Sequence, residues 1–299
     1  MKKYAVAIAG TTQRTVICAQ ALINHPQFKI TTVITPKPKP VGRQQILTPT
    51  PVQKFADSNQ LPTVIIKNKI DEEVKKEILA YPKPDFLLVV DFGYLVPKWL
   101  LDLPKIMPLN IHPSALPKWR GSSPGQFVLL HGEETSAVSM IQMTDKFDQG
   151  PIVWQQEFEV NPSWTQTEYY RHSFELVAQN LAEVMINLAE NKIQPTPQPA
   201  DSPTQLAKQL SKDDSFIDWQ NVNQAMTNNP QLALKLERAS RAYSPWPLLW
   251  TKIQTNQGQK RMQILKTQLE NQLLKLEEVK IEGMTAKPWA EVKNSILDS

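Results

Sequence analysis

Short apolar runs alternate with amphipathic segments through the first two-thirds of this 299-residue chain, and that alternation narrows the possible folds more than any other feature. Tyr4 to Ala9, Lys29 to Thr35, Thr63 to Ile66, Phe86 to Val90 and Leu109 to His112 read as strands. Phe86 to Val90 has no polar face, which suits a strand covered on both sides. Between them, Arg14 to Leu22 predicts a helix. So does Pro51 to Ser58, because proline is pre-set for the first helical turn. Asp71 offers an N-cap to a third helix ending near Ala80. Strands alternating with helices imply an α/β fold with a mainly parallel sheet. Ligands of such sheets bind beyond the carboxyl ends of the strands, here after Val90 and after Asn110.

Two stretches break the rhythm. Pro36 to Pro51 carries so many prolines, each without an N–H, that it reads as a long exposed loop. Asn191 to Gln205, NKIQPTPQPADSPTQ, is proline-rich and polar without periodicity, and reads as a linker. Before it, Ala137 to Met143 and Ile152 to Val160 predict strands joined by a turn containing Asp148-Gln149-Gly150, followed by a helix from Thr165 to Ala189. After it, a helix and several strands are expected, with a hairpin at Gln257-Gly258 and a short closing helix. The expected organisation is one domain over residues 1–190, a linker over 191–205 and a smaller domain over 206–299.

The net charge of +4 permits a polyanionic partner without requiring one. Only 9 glycines are present, and neither GxGxxG nor GxxxxGK[ST] occurs, which argues against a phosphate loop. Cys18 is the single cysteine, so no intrachain disulfide can form and a reducing compartment is expected; it reads as a small buried hydrophobe on a helix. No apolar stretch is long enough to cross a bilayer, and the first is too short for a secretion signal. A cytoplasmic protein without a membrane partner is the expectation.

The densest constellation of reactive groups is LNIHPSALPKWRGSSP, Leu109 to Pro124. Asn110 and His112 are two apart on a predicted strand, so their side chains share a face. A turn bearing Asp148 could return to the same sheet edge and fix the imidazole tautomer, while an amide could donate to an oxyanion. Together these groups suit acyl-type transfer between a carbonyl and an amine. Asn-x-His also occurs by chance, and Asp-Gln-Gly is an ordinary turn. His25, His131 and His172 stand in no ligand spacing with His112, so no metal is expected. Ser114, Ser122 and Ser123 lack the turn of a serine nucleophile.

LNIHPSALPKWRGSSP followed by MTDKFDQGPIV resembles the shared core of folate-dependent formyltransferases. The resemblance implies catalytic roles for Asn110, His112 and Asp148. It implies a folate site at Ser114, Ala115, Leu116 and Pro117, with Val90, Asp91, Phe92 and Gly93 in the loop whose backbone meets the pterin ring. Three further segments are similar to the methionyl-tRNA formyltransferase branch: the proline-rich insertion Pro36 to Pro62, the motifs QLSKDDSFIDW and RAYSPWPLLW, and VKIEGMTAKPWAEV. That likeness implies a Rossmann-like domain followed by a small OB-like β-barrel. It implies 10-formyltetrahydrofolate as formyl donor, no metal, initiator methionyl-tRNA as acceptor, and a monomer. Arg43, in the insertion, would lie near the acceptor stem, and Arg238, Arg241, Lys260 and Arg261 would contact phosphates.

The chain departs from the family pattern at several places. The first turn reads GTTQR, which puts Thr11, Thr12 and Gln13 where the methionine pocket is expected. Gln44, Gln45 and Ile46 replace lysines after Arg43, which weakens the phosphate contribution to binding. SSPGQ and FDQG also differ from the commoner forms. None of these touches Asn110, His112 or Asp148. An amino-sugar nucleotide as acceptor, hydrolysis of the formyl-folate, and RNA binding without catalysis stay open as alternatives.

Overall fold

The computed structural model describes residues 2–42 and 44–296. Its strands are β1 (Tyr4–Gly10), β2 (Phe28–Pro36), β3 (Lys39–Val41), β4 (Ile46–Thr48), β5 (Thr63–Ile66), β6 (Phe86–Val90), β7 (Met107–His112), β8 (Thr135–Gln142) and β9 (Ile152–Glu159). Later in the chain come β10 (Leu249–Thr255), β11 (Gly258–Glu270), β12 (Leu273–Ile281) and β13 (Lys287–Pro288). The helices are α1 (Gln13–Ile23), α2 (Pro51–Ser58), α3 (Glu72–Leu79), α4 (Lys98–Leu101), α5 (Pro124–His131), α6 (Gln166–Ala189), α7 (Trp219–Thr227), α8 (Pro230–Ala242) and α9 (Trp289–Val292).

The chain divides into two compact units, residues 1–120, 137–158 and 170–205 forming one and residues 121–136, 159–169 and 206–299 the other. Residues 191–205, expected as a linker, fall in the first unit.

The first unit is built on a seven-stranded sheet in the order β5-β2-β1-β6-β7-β8-β9. Strands β5 to β7 in that order are parallel, and β7 pairs antiparallel with β8. The chain runs outward from β1 to β2 and β5, then returns to β6 on the other side of β1. The carboxyl ends of β1 and β6 thus flank a topological switch point. Register aligns Gly10 with Val90 and Val89 with Asn110, so three strands end together. One face of the sheet buries Ala7, Ile34, Val64, Leu87 and Val89 with Val74 and Ile78 of α3. All five residues of β6 are buried, as its wholly apolar sequence requires.

Local signals act as their chemistry dictates. Thr50 caps α2 through its side chain, with Pro51 in the first turn, and Asp71 accepts from Val74 N at 3.1 Å. Gly10 is required by close approach: a Cβ there would sit 2.6 Å from the Val90 carbonyl. The segment Pro36 to Pro51 differs from the loop expected. β3 and β4 pair antiparallel in a two-stranded hairpin, with Pro40 opposite Leu47. Each strand of such a hairpin is an edge, so a proline can sit on the side that needs no donor.

The second unit carries a four-stranded antiparallel sheet in the order β10-β11-β12-β13. Gly258, at φ +93°, begins β11 after the tight turn from β10. Ala233, Leu236 and Ala239 of α8 and Val222 of α7 are buried with Ile253, Met262, Ile264 and Val279 of the sheet. Among the described residues no helix is long and apolar enough to cross a membrane.

Candidate active site

Asn110 and His112 end β7, opposite Ile141 and Ser139 of β8. The two-residue spacing puts them on one face. Asn110 is half-buried, and among the described residues its side-chain amide makes no hydrogen bond, which leaves its donors for a bound oxygen. His112 is buried. Its Nε2 lies 3.0 Å from the Trp119 carbonyl. A carbonyl only accepts, so Nε2 carries a hydrogen in this arrangement. Its Nδ1 faces Asp148 Oδ2 at 3.7 Å, within ion-pair range but beyond hydrogen-bond length. Both side chains are less than a tenth exposed, at 5% and 8%, so charge moved between them is weakly screened.

Two loops hold this pair. Pro113 stops β7, and a tight turn follows. Ser114 N donates to His112 O at 2.9 Å, Leu116 N to Ser114 O at 3.0 Å and Lys118 N to Ala115 O at 3.0 Å. Side chains of β8 and β9 pin it. Ser139 donates to the Ser114 carbonyl at 2.6 Å, and Gln155 to that of Leu116 at 3.1 Å. Trp119, at φ +57°, turns its carbonyl back to His112. Asp148 adopts φ +54° in the turn after β8, a conformation that short Asp side chains tolerate. Gly150 lets that turn lie flat on the strand end, since a Cβ there would meet Gln142 O at 1.7 Å.

The expected folate residues divide. Ser114 and Leu116 are buried and hydrogen-bonded within the turn, whereas Ala115 and Pro117 are half-buried. Val90 is fully buried and its carbonyl accepts from Thr15 Oγ1 at 2.8 Å. Asp91 accepts from Thr12 Oγ1 at 2.5 Å and from Arg14 Nε. Gly93 is exposed, and the Phe92 ring lies tilted at 48° to that of Tyr94, with centroids 5.4 Å apart.

Arg14 was not singled out from the sequence. Its guanidinium lies 4.1 Å over the Tyr170 ring while it pairs with Asp91. Burial works against its charge, but Asp91 and Tyr170 outweigh that and hold its pKa above the usual value. The altered first turn, GTTQR, is thereby locked to the loop after β6 at the switch point. The sequence signal was an arginine in the first turn of α1, where a cation is unfavourable without a partner.

The basic residues expected to meet nucleic acid are less uniform. Arg43 lies outside the described residues. Arg241 is bidentate to Glu237 at 2.6 and 2.9 Å and donates to the Trp164 carbonyl at 2.9 Å. Arg238 donates to the His131 carbonyl at 3.4 Å. Both line a cavity of about 970 Å³ in the second unit whose walls also carry Glu133, Glu159 and Glu277. Arg241 is thus paired with a carboxylate, whereas Arg238 meets a neutral carbonyl.

An amide and an imidazole at the end of β7, with a carboxylate in the turn after the antiparallel β8, are equipped to stabilise an oxyanion and relay a proton. Such a constellation on an α/β scaffold is chemically suited to group transfer. The chain belongs to the formyl transferase family, whose model matches residues 2–185. It is 32% identical over 251 residues to a methionyl-tRNA formyltransferase of Legionella pneumophila, covering 84% of this chain and 76% of that one. A methionyl-tRNA formyltransferase of Mesoplasma florum is 29% identical over 271 residues, 91% of this chain and 81% of the relative. In fold, the chain resembles methionyl-tRNA formyltransferase from Clostridium thermocellum, with TM-score 0.58, 17% identity and coverage of 93% and 98%. It also resembles WlaRD, a sugar 3N-formyl transferase, with TM-score 0.58, 20% identity and coverage of 91% and 87%.

Proposed function

We propose that this chain transfers the formyl group of 10-formyltetrahydrofolate to the α-amine of methionine on initiator methionyl-tRNA. The observation that carries the reading is the reach of the similarity. The methionyl-tRNA formyltransferase of M. florum matches over 271 residues, well past the family domain at residues 2–185 and into the second unit.

The amine nitrogen attacks the formyl carbon and a tetrahedral intermediate forms. The Asn110 amide, unbonded in the free site, donates to its oxygen. The attacking nitrogen loses a proton and the departing folate nitrogen gains one. His112 serves this exchange through Nδ1, the ring nitrogen not engaged by Trp119, with Asp148 opposite to stabilise a proton held there. The turn at Ser114 to Pro117 and the loop at Asp91 to Gly93 bracket the folate. Val90 supports that loop from the core.

The second unit is read as an OB-like tRNA-binding module, with residues 1–190 and 206–299 as functional domains. A bridge between Thr255 of β10 and Ile296 returns the chain end to the first strand of the sheet, which supports a barrel-like closure. Phosphate contacts are assigned to Lys252, Lys260 and Arg261 of the β10–β11 pair, together with Arg43, ahead of Arg238 and Arg241. A cytoplasmic monomer without metal accords with this substrate pair.

The test follows formyl-methionine formation with 10-formyltetrahydrofolate and methionine-charged initiator tRNA, against charged elongator tRNA. Preference for the initiator supports the assignment. Absence of product with either tRNA refutes it and directs the search to amino-sugar nucleotides, and formate release without any amine indicates hydrolysis.

A further inference from the structure

Gln198 lies in a proline-rich stretch with no periodicity, yet its carboxamide spends both ends on the loops that hold His112 and Asp148. Its Oε1 accepts from Arg120 Nε at 3.2 Å and Nη2 at 3.0 Å. Its Nε2 donates to the carbonyls of Asp148 at 3.0 Å and Gly150 at 2.6 Å. Arg120 directly follows Trp119, whose carbonyl binds His112. One planar amide thus bridges the histidine loop and the aspartate turn.

The neighbouring contacts reinforce this bridge. Arg120 is 6% exposed. It donates to the carbonyls of Pro199 at 2.7 Å and Ala200 at 2.9 Å and, among the described residues, pairs with no carboxylate. A buried guanidinium held only by neutral oxygens is costly, so these oxygens must be fixed in place for it to stay buried. Ser202 donates to the Pro117 carbonyl at 2.8 Å, and Thr204 accepts from Trp119 N at 2.7 Å. Residues 198 to 204 therefore form a strap against the histidine loop. Gln198 reaches across to the aspartate turn as well.

The geometry points to Gln198 as a positioning residue that sets the separation of His112 and Asp148. Asp148 sits at a positive φ with its carboxylate 3.7 Å from the ring. Gly150 packs that turn on the strand end, and the bonds on the carbonyls at 148 and 150 tie it to Gln198. Releasing those bonds lets the turn shift relative to the ring without altering either catalytic side chain.

The inference rests on the formyl-transfer reading, so the unaltered chain is assayed first; failure there refutes the reading and not the positioning role. Gln198→Ala is then compared with Gln198→Glu. The glutamate keeps an acceptor for Arg120, and hence the strap, but cannot donate to the two carbonyls. Both variants should lose about tenfold to a hundredfold in kcat while KM for the formyl donor stays within about threefold. In an Asp148→Asn background, Gln198→Ala should cost less than about twofold more, because its partner in positioning is already lost. Full activity of Gln198→Glu, an additive double variant, or a folate-binding loss as large as the kcat loss would each overturn the inference.

Discussion

Replacing Gly150 by alanine tests how tightly the aspartate turn must lie on the sheet. The added Cβ would stand 1.7 Å from the Gln142 carbonyl oxygen, where ordinary contact begins at 3.4 Å. Gln142 cannot yield easily. It lies opposite Leu109 of β7, and its N–H donates to Pro151 O at 2.9 Å. The turn must therefore lift by roughly 1.5 Å, as overpacking against a rigid neighbour demands. Such a lift would carry Asp148 from 3.7 Å to beyond ion-pair reach of His112 and break both bonds from Gln198. A displacement of this size at a reacting group costs about a hundredfold in kcat. Overpacking and two lost hydrogen bonds together cost about 2–4 kcal/mol of stability. In a chain of this length, that lowers Tm by several degrees, at about 2–4 °C per kcal/mol. Single-turnover formyl transfer, folate binding and thermal unfolding on the same preparation read the three quantities. Folate affinity should survive, because the loops at 91–93 and 114–117 are not displaced. A Gly150→Ala enzyme with kcat within twofold of the parent would refute the claim that the turn's height controls the pair.

Asn110→Ala should lower kcat by about a hundredfold or more with little change in folate affinity, as for removal of one oxyanion donor; equal losses in both would make Asn110 a binding residue. Cys18 is fully buried and burial pushes its thiol pKa well up, so a thiol reagent should modify the native chain only as fast as it unfolds; rapid labelling under native conditions would contradict the buried placement. Bonds from Lys208 and Ser211 hold the Asp214 carboxyl at about 2. Its folded pKa lies below the unfolded one, so its stabilising effect is full above about pH 4 and is lost as pH falls toward 2. Asp214→Asn should flatten the acid limb of urea-unfolding stability in that window, and an unchanged limb would count against the pairing.

The sequence by itself determined the parallel sheet, because apolar runs bounded by caps and prolines have one efficient burial: β6 lies at its centre with all five residues covered. It also determined that Asn110 and His112 share a face, since strand periodicity requires it. Helix α5 was missed for a physical reason. Pro124 to Leu129 is buried on all sides and shows no polar stripe to betray a helical period. The hairpin inside Pro36 to Pro51 was missed because proline excludes central strands but not edges. Only the tertiary structure decided the rest of the site. Asp148 reaches His112 through a turn whose height depends on Gly150 and Gln198, distant in sequence from the histidine. Arg238 and Arg241 meet the carbonyls of His131 and Trp164, 107 and 77 residues away, which no local pattern shows. Local pattern records which face a residue takes. It does not record that Asp148 arrives beside His112, 36 residues away, because that depends on packing between elements rather than on periodicity within one.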